Sequence, residues 1–398
     1  MDALTTPLPK DWEAVKVEYI FEIITDFSAA GSFAQQSQMV QYTNDRTNYA
    51  QLIRTTELKN GFNNTNAIYI NKEAFEFLWR VNLNSDAIIL PNIGINCGEI
   101  YYVDIKKLIH KHNALAPNAI LLRTKKANLK FLFYAFLDTW FQKQLINIIT
   151  SSAQPKFTKT DLRDLLIPLP PLNEQIAIAN ILSDVDRYLY SLDALILKKE
   201  SVKKALSFEL LSQRKRLKGF NQAWQKVRLG DICEITTGSL DANEMVHYGK
   251  YRFYTCAKEY YFIDKYAFDT EAILISGNGA YVGYVHYYKG KFNAYQRTYV
   301  LDNFSEHIIF VKYFLTMFLQ SHIQTNRNEG NTPYIVMGTL KDFEILLPPL
   351  NEQAAIANIL SDVDSEIISL KNKKRQFENI KKALNHDLMS AKIRVLKQ

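Results

Sequence analysis

Few stretches of this 398-residue chain combine residue types that could do chemistry. Residues 277–283, Gly-Asn-Gly-Ala-Tyr-Val-Gly, have the glycine density of a phosphate-cradling loop, but such a loop opens a helix. Here strand-like runs flank it, at 272–275 and 284–288, so no cofactor loop is expected. His110 and His112 stand two apart without a third metal ligand, and Glu57-Leu58-Lys59 is too common a triplet to imply a nuclease centre. Cys97, Cys233 and Cys256 are odd in number and scattered, which suggests a reducing compartment rather than a disulfide framework. No nucleophile–base pair is recognisable. The chain reads as one that binds rather than reacts, with no catalytic residue and no metal site expected.

The elements that must position any binding residues come from an internal duplication. LPPLNEQIAIANILSDVD over residues 169–186 returns as LPPLNEQAAIANILSDVD over 347–364, a shift of 178 with 17 of 18 positions identical. The shift persists downstream, where Lys203, Lys204, Ala205 and Leu206 match Lys381, Lys382, Ala383 and Leu384. Upstream it drifts. Ala87, Gly94 and Gly98 match Ala272, Gly279 and Gly283, while Trp12 matches Trp224. The first globular part therefore carries about 34 more residues than the second.

Each Pro-Pro-Leu-Asn-Glu-Gln run reads as a helix start, with Asn173 or Asn351 as cap and Glu174 or Glu352 near the positive helix end. Apolar residues follow at 182, 185, 189, 192 and 196, and at 360, 363, 367 and 370, resuming at Phe377, Ile380, Leu384 and Leu388. That narrow seam predicts two helices of about 45 residues, roughly 65 Å long, pairing as an antiparallel coiled coil. The globular parts read as mixed α/β, with helices over 131–141 and 309–320. The fold class is α+β, with a pseudo-two-fold arrangement of segments 1–171, 172–218, 219–349 and 350–398.

Composition agrees. The chain is 47% hydrophobic and 22% charged with modest Gly and Pro, which excludes a disordered or collagenous protein. No apolar run approaches a membrane span, and residues 1–4 show no basic secretory n-region, so a cytoplasmic location is expected. The net charge is +7, and each predicted helical segment holds nine basic and six acidic residues. The two segments thus carry most of the excess.

Two divergent heads alternating with two near-identical helices, each opened by LPPLNEQ, resemble the specificity (S) subunit of type I restriction–modification enzymes. The Trp-x-x-Val starts of the heads, the paired glycines and Asn293-Ala294-Tyr295-Gln296-Arg297 also look like that family's target-recognition domains. In the first head Ala116-Pro117-Asn118 stands against Ala294-Tyr295-Gln296. The resemblance implies a non-catalytic subunit whose heads each read one half of a bipartite, asymmetric site in double-stranded DNA. The helices would set the spacer and dock two methyltransferase (M) subunits, with restriction (R) subunits joining them. No cofactor is expected in this chain; S-adenosylmethionine on the M subunits and ATP with Mg on the R subunits are implied. One alternative is a system with fused methyltransferase and nuclease. Another is an adenine methyltransferase in its own right, since Asn331-Thr332-Pro333-Tyr334 resembles the Asn-Pro-Pro-Tyr motif of amino-methyltransferases. Thr replaces the first Pro, however, and no methyl-donor loop accompanies it.

Base reading needs Arg, Lys, Asn or Gln at groove edges, with hydroxyl and basic groups on the phosphates. In the first head the candidates are Gln35, Gln36, Gln38, Asn44, Arg46, Asn48, Arg54, Thr55, Lys59, Asn63 and Asn64, with Asn92 and Asn118 behind them. In the second they are Lys250, Arg252, Tyr254, Thr255, Asn278, Tyr281, Gln296 and Arg297. Partner contacts are expected at the helix starts, Leu172, Asn173, Glu174 and Gln175, and Leu350, Asn351, Glu352 and Gln353. The lysines of the later turns, Lys198, Lys199, Lys203, Lys204, Lys371, Lys373 and Lys374 with Arg375, are left open between DNA and protein.

Overall fold

The structure is a computed structural model, and it describes residues 8–62, 64–150, 153–326 and 333–396. Asn63, Asn331, Thr332 and residues 1–4 lie outside the described residues. The chain forms two compact units: residues 1–191 with 374–398, and residues 192–373. The boundary falls inside both long helices, so each unit owns one head, the start of one helix and the end of the other. Among the described residues no helix is long and apolar enough to cross a membrane.

In the first unit, Glu13–Lys16 pairs antiparallel with Leu166–Leu169 and closes the head at its base. Above it an antiparallel sheet runs Ile23–Asp26, Ala119–Arg123, Ala87–Pro91, Tyr101–Val103. A second, three-stranded sheet runs Ile68–Ile70, Ala50–Ile53, Asn113–Leu115, with the last two parallel. The second unit repeats the base with Gln225–Arg228 against Glu344–Leu347. Its six remaining strands form one sheet: Glu234–Thr237, Thr298–Asp302, Phe268–Ser276, Val285–Ala294, Tyr251–Tyr254, Tyr261–Ile263.

One strand explains the difference. Val285–Ala294 runs unbroken for ten residues and joins both halves of its sheet. Its counterpart in the first head is interrupted between Tyr101–Val103 and Asn113–Leu115, where Ile105–Lys107 makes a turn of 3-10 helix. Both copies keep the turn that begins this strand. Gly98 and Gly283 have φ of +87° and +80°, which favour glycine, and a Cβ there would lie 2.8 Å from Ile149 and 2.4 Å from Ile323.

The long helices are Leu172–Leu211 and Leu350–Met389, forty residues or about 60 Å each. Both begin at Leu, so Asn173 and Asn351 sit inside the first turn rather than capping it. Their Oδ1 atoms accept the next N–H, from Glu174 and Glu352. Within each unit the helices run antiparallel. In the first, Tyr188 packs on Phe377 and Lys381 pairs with Asp186; in the second, Lys199 pairs with Glu366 and Lys203 with Asp364. Leu182, Leu192, Ile196, Leu360, Ile367 and Leu388 are buried as the seam requires. Ile380 is the exception, 52% exposed, because the 4–3 spacing drifts off the contact face there.

The helix expected over 131–141 is two helices, Leu129–Leu137 and Thr139–Ile148. Asp138 separates them, its carboxylate accepting the Trp140 N–H at 2.9 Å and starting the second. In the second head Ile308–Asn326 runs through. In each unit the main core lies where this head helix meets the start of one long helix and the end of the other: Leu132, Phe136, Ile178, Leu182 and Leu388 in one, Phe314, Leu315, Ile356, Leu360 and Leu211 in the other.

Candidate nucleic-acid interface

The 18-residue repeat acts first as a fastener. Glu174 and Glu352 are 2% and 0% exposed. Trp12 and Trp224 each donate Nε1–H to the glutamate of their unit at 3.2 Å, and Arg394 and Arg216 each hold it through both carboxylate oxygens. A buried carboxylate needs such compensation. Gln175 and Gln353 are buried too. Each donates to the carbonyl of a proline, Pro170 or Pro348, and accepts a backbone N–H from its head, Asn128 at 2.9 Å or His307 at 3.0 Å. About three turns further along each helix, Tyr134 donates to Asp186 at 2.6 Å and Tyr313 to Asp364 at 2.7 Å. Lys381 and Lys203 complete these clusters.

Of the eight helix-start residues, Leu172, Asn173, Leu350 and Asn351 are therefore exposed, while the Glu and Gln pairs are committed inside the chain. Arg216 and Arg394 were missed from sequence, although they stand 178 apart, the shift of the repeat itself. The lysines left open divide: Lys199, Lys203, Lys371 and Lys374 pair with Glu366, Asp364, Glu200 and Glu378, whereas Lys198 and Lys204 are exposed.

The loops at the far end of each sheet form the remaining polar surface. In the second head four other segments gather around the turn that holds Arg297. Its carbonyl accepts the Gly277 N–H at 2.8 Å and the Cys256 thiol at 3.3 Å. The Tyr295 N–H reaches the Tyr254 carbonyl at 2.9 Å, the Gln296 N–H reaches Leu240, and Asn278 bridges to Tyr334. Arg297 and Gln296 are exposed, with the Gln296 amide on Asp241 at 2.8 Å. Tyr281 is 43% exposed beneath Lys258. Asn278 is half-buried and Lys250 exposed. Thr255 and Tyr254 are buried, and Arg252 lies between the rings of Tyr260 and Tyr288, 4.2 and 4.5 Å from their centres.

The first head builds the same cluster with other residues. The Asn92 N–H bonds the Asn118 carbonyl at 3.0 Å, the Ala116 N–H the Ile53 carbonyl, and Ile93 bridges to Lys156. These bonds set Asn118 on Arg297 and Ala116 on Tyr295. The sequence pairing of Ala116-Pro117-Asn118 with Ala294-Tyr295-Gln296 is thus one residue out of register, because divergent turns carry no pattern to align them. Asn118 is exposed, with φ of +67°. Beside it an open cleft of about 780 Å³ is lined by Gln36, Gln41, Tyr42, Asn92 and Asn118.

The other first-head candidates scatter. Gln35 and Gln36, on the short helix Phe33–Met39, bond Ser32 and Gly31; Gln38 and Asn44 are exposed. The Asn48 side chain accepts the Tyr49 N–H, and the exposed Arg46 donates to the Asn64 carbonyl. Arg54 and Asn64 both bond Glu57, which is fully buried. Burial pushes the Glu57 carboxyl up, but the Arg54 guanidinium and backbone N–H outweigh it and hold the group below the usual range. Thr55 is half-buried, and Lys59 reaches Asn96 at 2.6 Å and Glu99 at 2.7 Å. Asn92 is buried, donating to the Phe157 carbonyl. His112 stacks on Tyr49, His110 packs tilted against Tyr69, and His110 Nδ1 meets the His112 carbonyl at 3.0 Å. Among the described residues no group of three or more His, Cys, Asp or Glu is placed to hold a metal ion.

Comparison with known proteins agrees with this repeated plan. The type I restriction modification DNA specificity domain matches residues 9–199 and again 221–379. The type I restriction enzyme EcoDI specificity subunit of Escherichia coli is 38% identical over 170 residues, which span 42% of this chain and 37% of that protein. The putative MjaX specificity subunit of Methanocaldococcus jannaschii is 28% identical over 98% of this chain and 95% of its own. The crystal structure of the S subunit from M. genitalium superposes with a TM-score of 0.62 at 17% identity, covering 97% of this chain and 98% of that one. A chain solved in work on complex assembly of a type I R-M system gives 0.55 at 15% identity, over 96% and 99%. Both share the fold. With two copies of the domain accounting for most of its length, the chain belongs to the type I restriction modification DNA specificity family.

Proposed function

We propose that this chain is the DNA-reading, non-catalytic subunit of a type I restriction–modification complex, each head recognising one half of a bipartite and asymmetric site. What carries the reading is the recurrence of one frame under two different surfaces. The Trp–Glu–Arg and Tyr–Asp–Lys fasteners repeat in both units, while the loop clusters around Asn118 and Arg297 differ in nearly every side chain. A frame held constant while its two tips vary suits a protein that fixes geometry and changes sequence preference. The loop clusters would face double-stranded DNA, and the helices would set the spacer.

Two M subunits, one for each repeat, would dock on the solvent-facing residues of the helix starts, around Leu172 and Asn173 and around Leu350 and Asn351. R subunits would join that core. S-adenosylmethionine and ATP with Mg would then belong to those partners. A system with fused methyltransferase and nuclease would use the same surfaces, and methylation by this chain alone is not favoured.

Mapping methylated adenines genome-wide, with and without the gene, tests the reading. Loss of one split motif with a fixed gap and unlike halves is expected. An unchanged methylation pattern in a host expressing the M subunit would overturn it.

A further inference from the structure

Asn118 and Arg297 occupy one position of a repeated fold, and we propose that this position reads a base in each half-site: a guanine through Arg297 and an adenine through Asn118. The inference rests on the DNA-reading role proposed above and adds the chemical identity of what is read.

The position is pinned by the same backbone bonds in both heads. The carbonyl of residue 297 accepts from Gly277, and that of residue 118 from Asn92. The residue just after it, Thr298 or Ala119, pairs with Ser276 or Pro91 at the end of the central strand. Gly277 has no room for a side chain, since its Cβ would lie 2.3 Å from the Arg297 carbonyl oxygen. The turn is thus rigid, and a rigid base-reading group gains in precision. Asn118 adopts the left-handed backbone that asparagine tolerates better than most residues.

Position within the cluster separates reading from anchoring. Arg297 stands where the segments converge, while Lys258, over Tyr281, occupies the adjoining turn. In the first head Lys59 reaches the equivalent turn at Asn96. A cation on the adjoining turn suits a phosphate, and the group at the convergence point is the one aimed at base edges.

The side chains then select the base. Paired N–H donors of a guanidinium match O6 and N7 of guanine, whereas the donor and acceptor of one amide match N7 and N6 of adenine. The first head presents an amide at this position, and three of its guanidiniums are spent elsewhere. Arg54 is held by Glu57, Arg123 by the carbonyls of Asn82 and Ser85, and Arg46 by that of Asn64. The surroundings differ in the same sense. Gly238 and Leu240 close the flank of the second cluster, with a Gly238 Cβ position only 1.8 Å from the Ala294 carbonyl oxygen. In the first head the chain turns away at Phe27, leaving the amide-lined cleft beside Asn118 open.

The test uses the full chain expressed with its M subunit, with methylated adenines mapped for wild type, Arg297→Ala, Arg297→Lys and Asn118→Ala. Arg297→Ala should turn one guanine of one half-site degenerate, lowering its preference by about tenfold or more and leaving the other half intact. Arg297→Lys should restore that preference only in part. Asn118→Ala should relax one adenine in the opposite half. An unchanged motif in any alanine variant, relaxation at a base other than the one named, or a uniform loss of methylation across all sites would overturn the proposal. Failure of wild type to produce any split motif would instead count against the DNA-reading role itself. Thermal unfolding of each variant distinguishes loss of reading from loss of fold.

Discussion

The two heads share a base and differ at their tips, and the boundary between sameness and difference is sharp. Toward the helices, Trp12 and Trp224, Glu174 and Glu352, Arg394 and Arg216 superimpose role for role. Toward the loops, a ten-residue strand in one head is broken in the other, and an arginine at the convergence point becomes an asparagine. Residues that join a head to the helices answer to two elements at once, so few replacements satisfy both. Loop residues answer only to their own turn and to whatever they bind.

The comparison breaks most visibly at the buried carboxylates. Arg216→Ala and Arg394→Ala each take the guanidinium from a glutamate that is almost wholly buried and leave it the tryptophan N–H, and Arg216→Ala should cost about 3–5 kcal/mol. Denaturant unfolding of the intact chain should show each loss in the unit that carries it. Glu352→Ala and Glu174→Ala should separate the two copies. Arg394 keeps Asp11, at 2.6 Å, as a second partner, whereas among the described residues no second acid pairs with Arg216, so Glu352→Ala should cost more. Equal costs would show that Asp11 contributes nothing.

A smaller and symmetric effect is expected at the tyrosines. Tyr134→Phe and Tyr313→Phe each remove a hydrogen bond to a carboxylate that keeps its lysine, and each should cost about 1.5 kcal/mol. A difference of more than about 1 kcal/mol between them in the same unfolding measurement would mean that the two seams are not equivalent.

The smallest effect sharpens the contrast between heads, because Glu57 has no counterpart in the second. Its folded pKa lies below the unfolded value, so it stabilises the first head above that value and the contribution fades as pH falls through the folded pKa. Hydrogen-exchange protection of residues 50–62, taken relative to the intrinsic rate at each pH, should therefore fall below about pH 4.5 in wild type more than in Glu57→Gln. Identical profiles would mean that Arg54 does not hold the carboxylate.

Much of the frame was legible because repetition is a pattern that needs no alignment. An 18-residue repeat, identical at 17 positions, located both helices, and the seam at Leu182, Leu192, Leu360 and Ile367 followed from 4–3 spacing. The strand cores at 87–90 and 272–275 were visible as short apolar runs, observed as Ala87–Pro91 and Phe268–Ser276. The loop clusters were harder to read. Polarity alone grouped Arg54, Asn64 and Arg252 with Arg297, although the first two serve a buried glutamate and the third sits between two tyrosines.

By itself, then, the sequence determined the duplicated plan, the long paired helices and the places where the heads begin, since these depend on periodicity and on identity between two stretches of one chain. Tertiary structure decided which polar residues are spent inside. Glu174 looks like an exposed helix-start acid until Trp12 and Arg394, 162 and 220 residues away, arrive beside it. It also decided that Asn118 stands where Arg297 stands, because equivalence between divergent turns is defined by backbone hydrogen bonds, and spacing along the chain does not encode those.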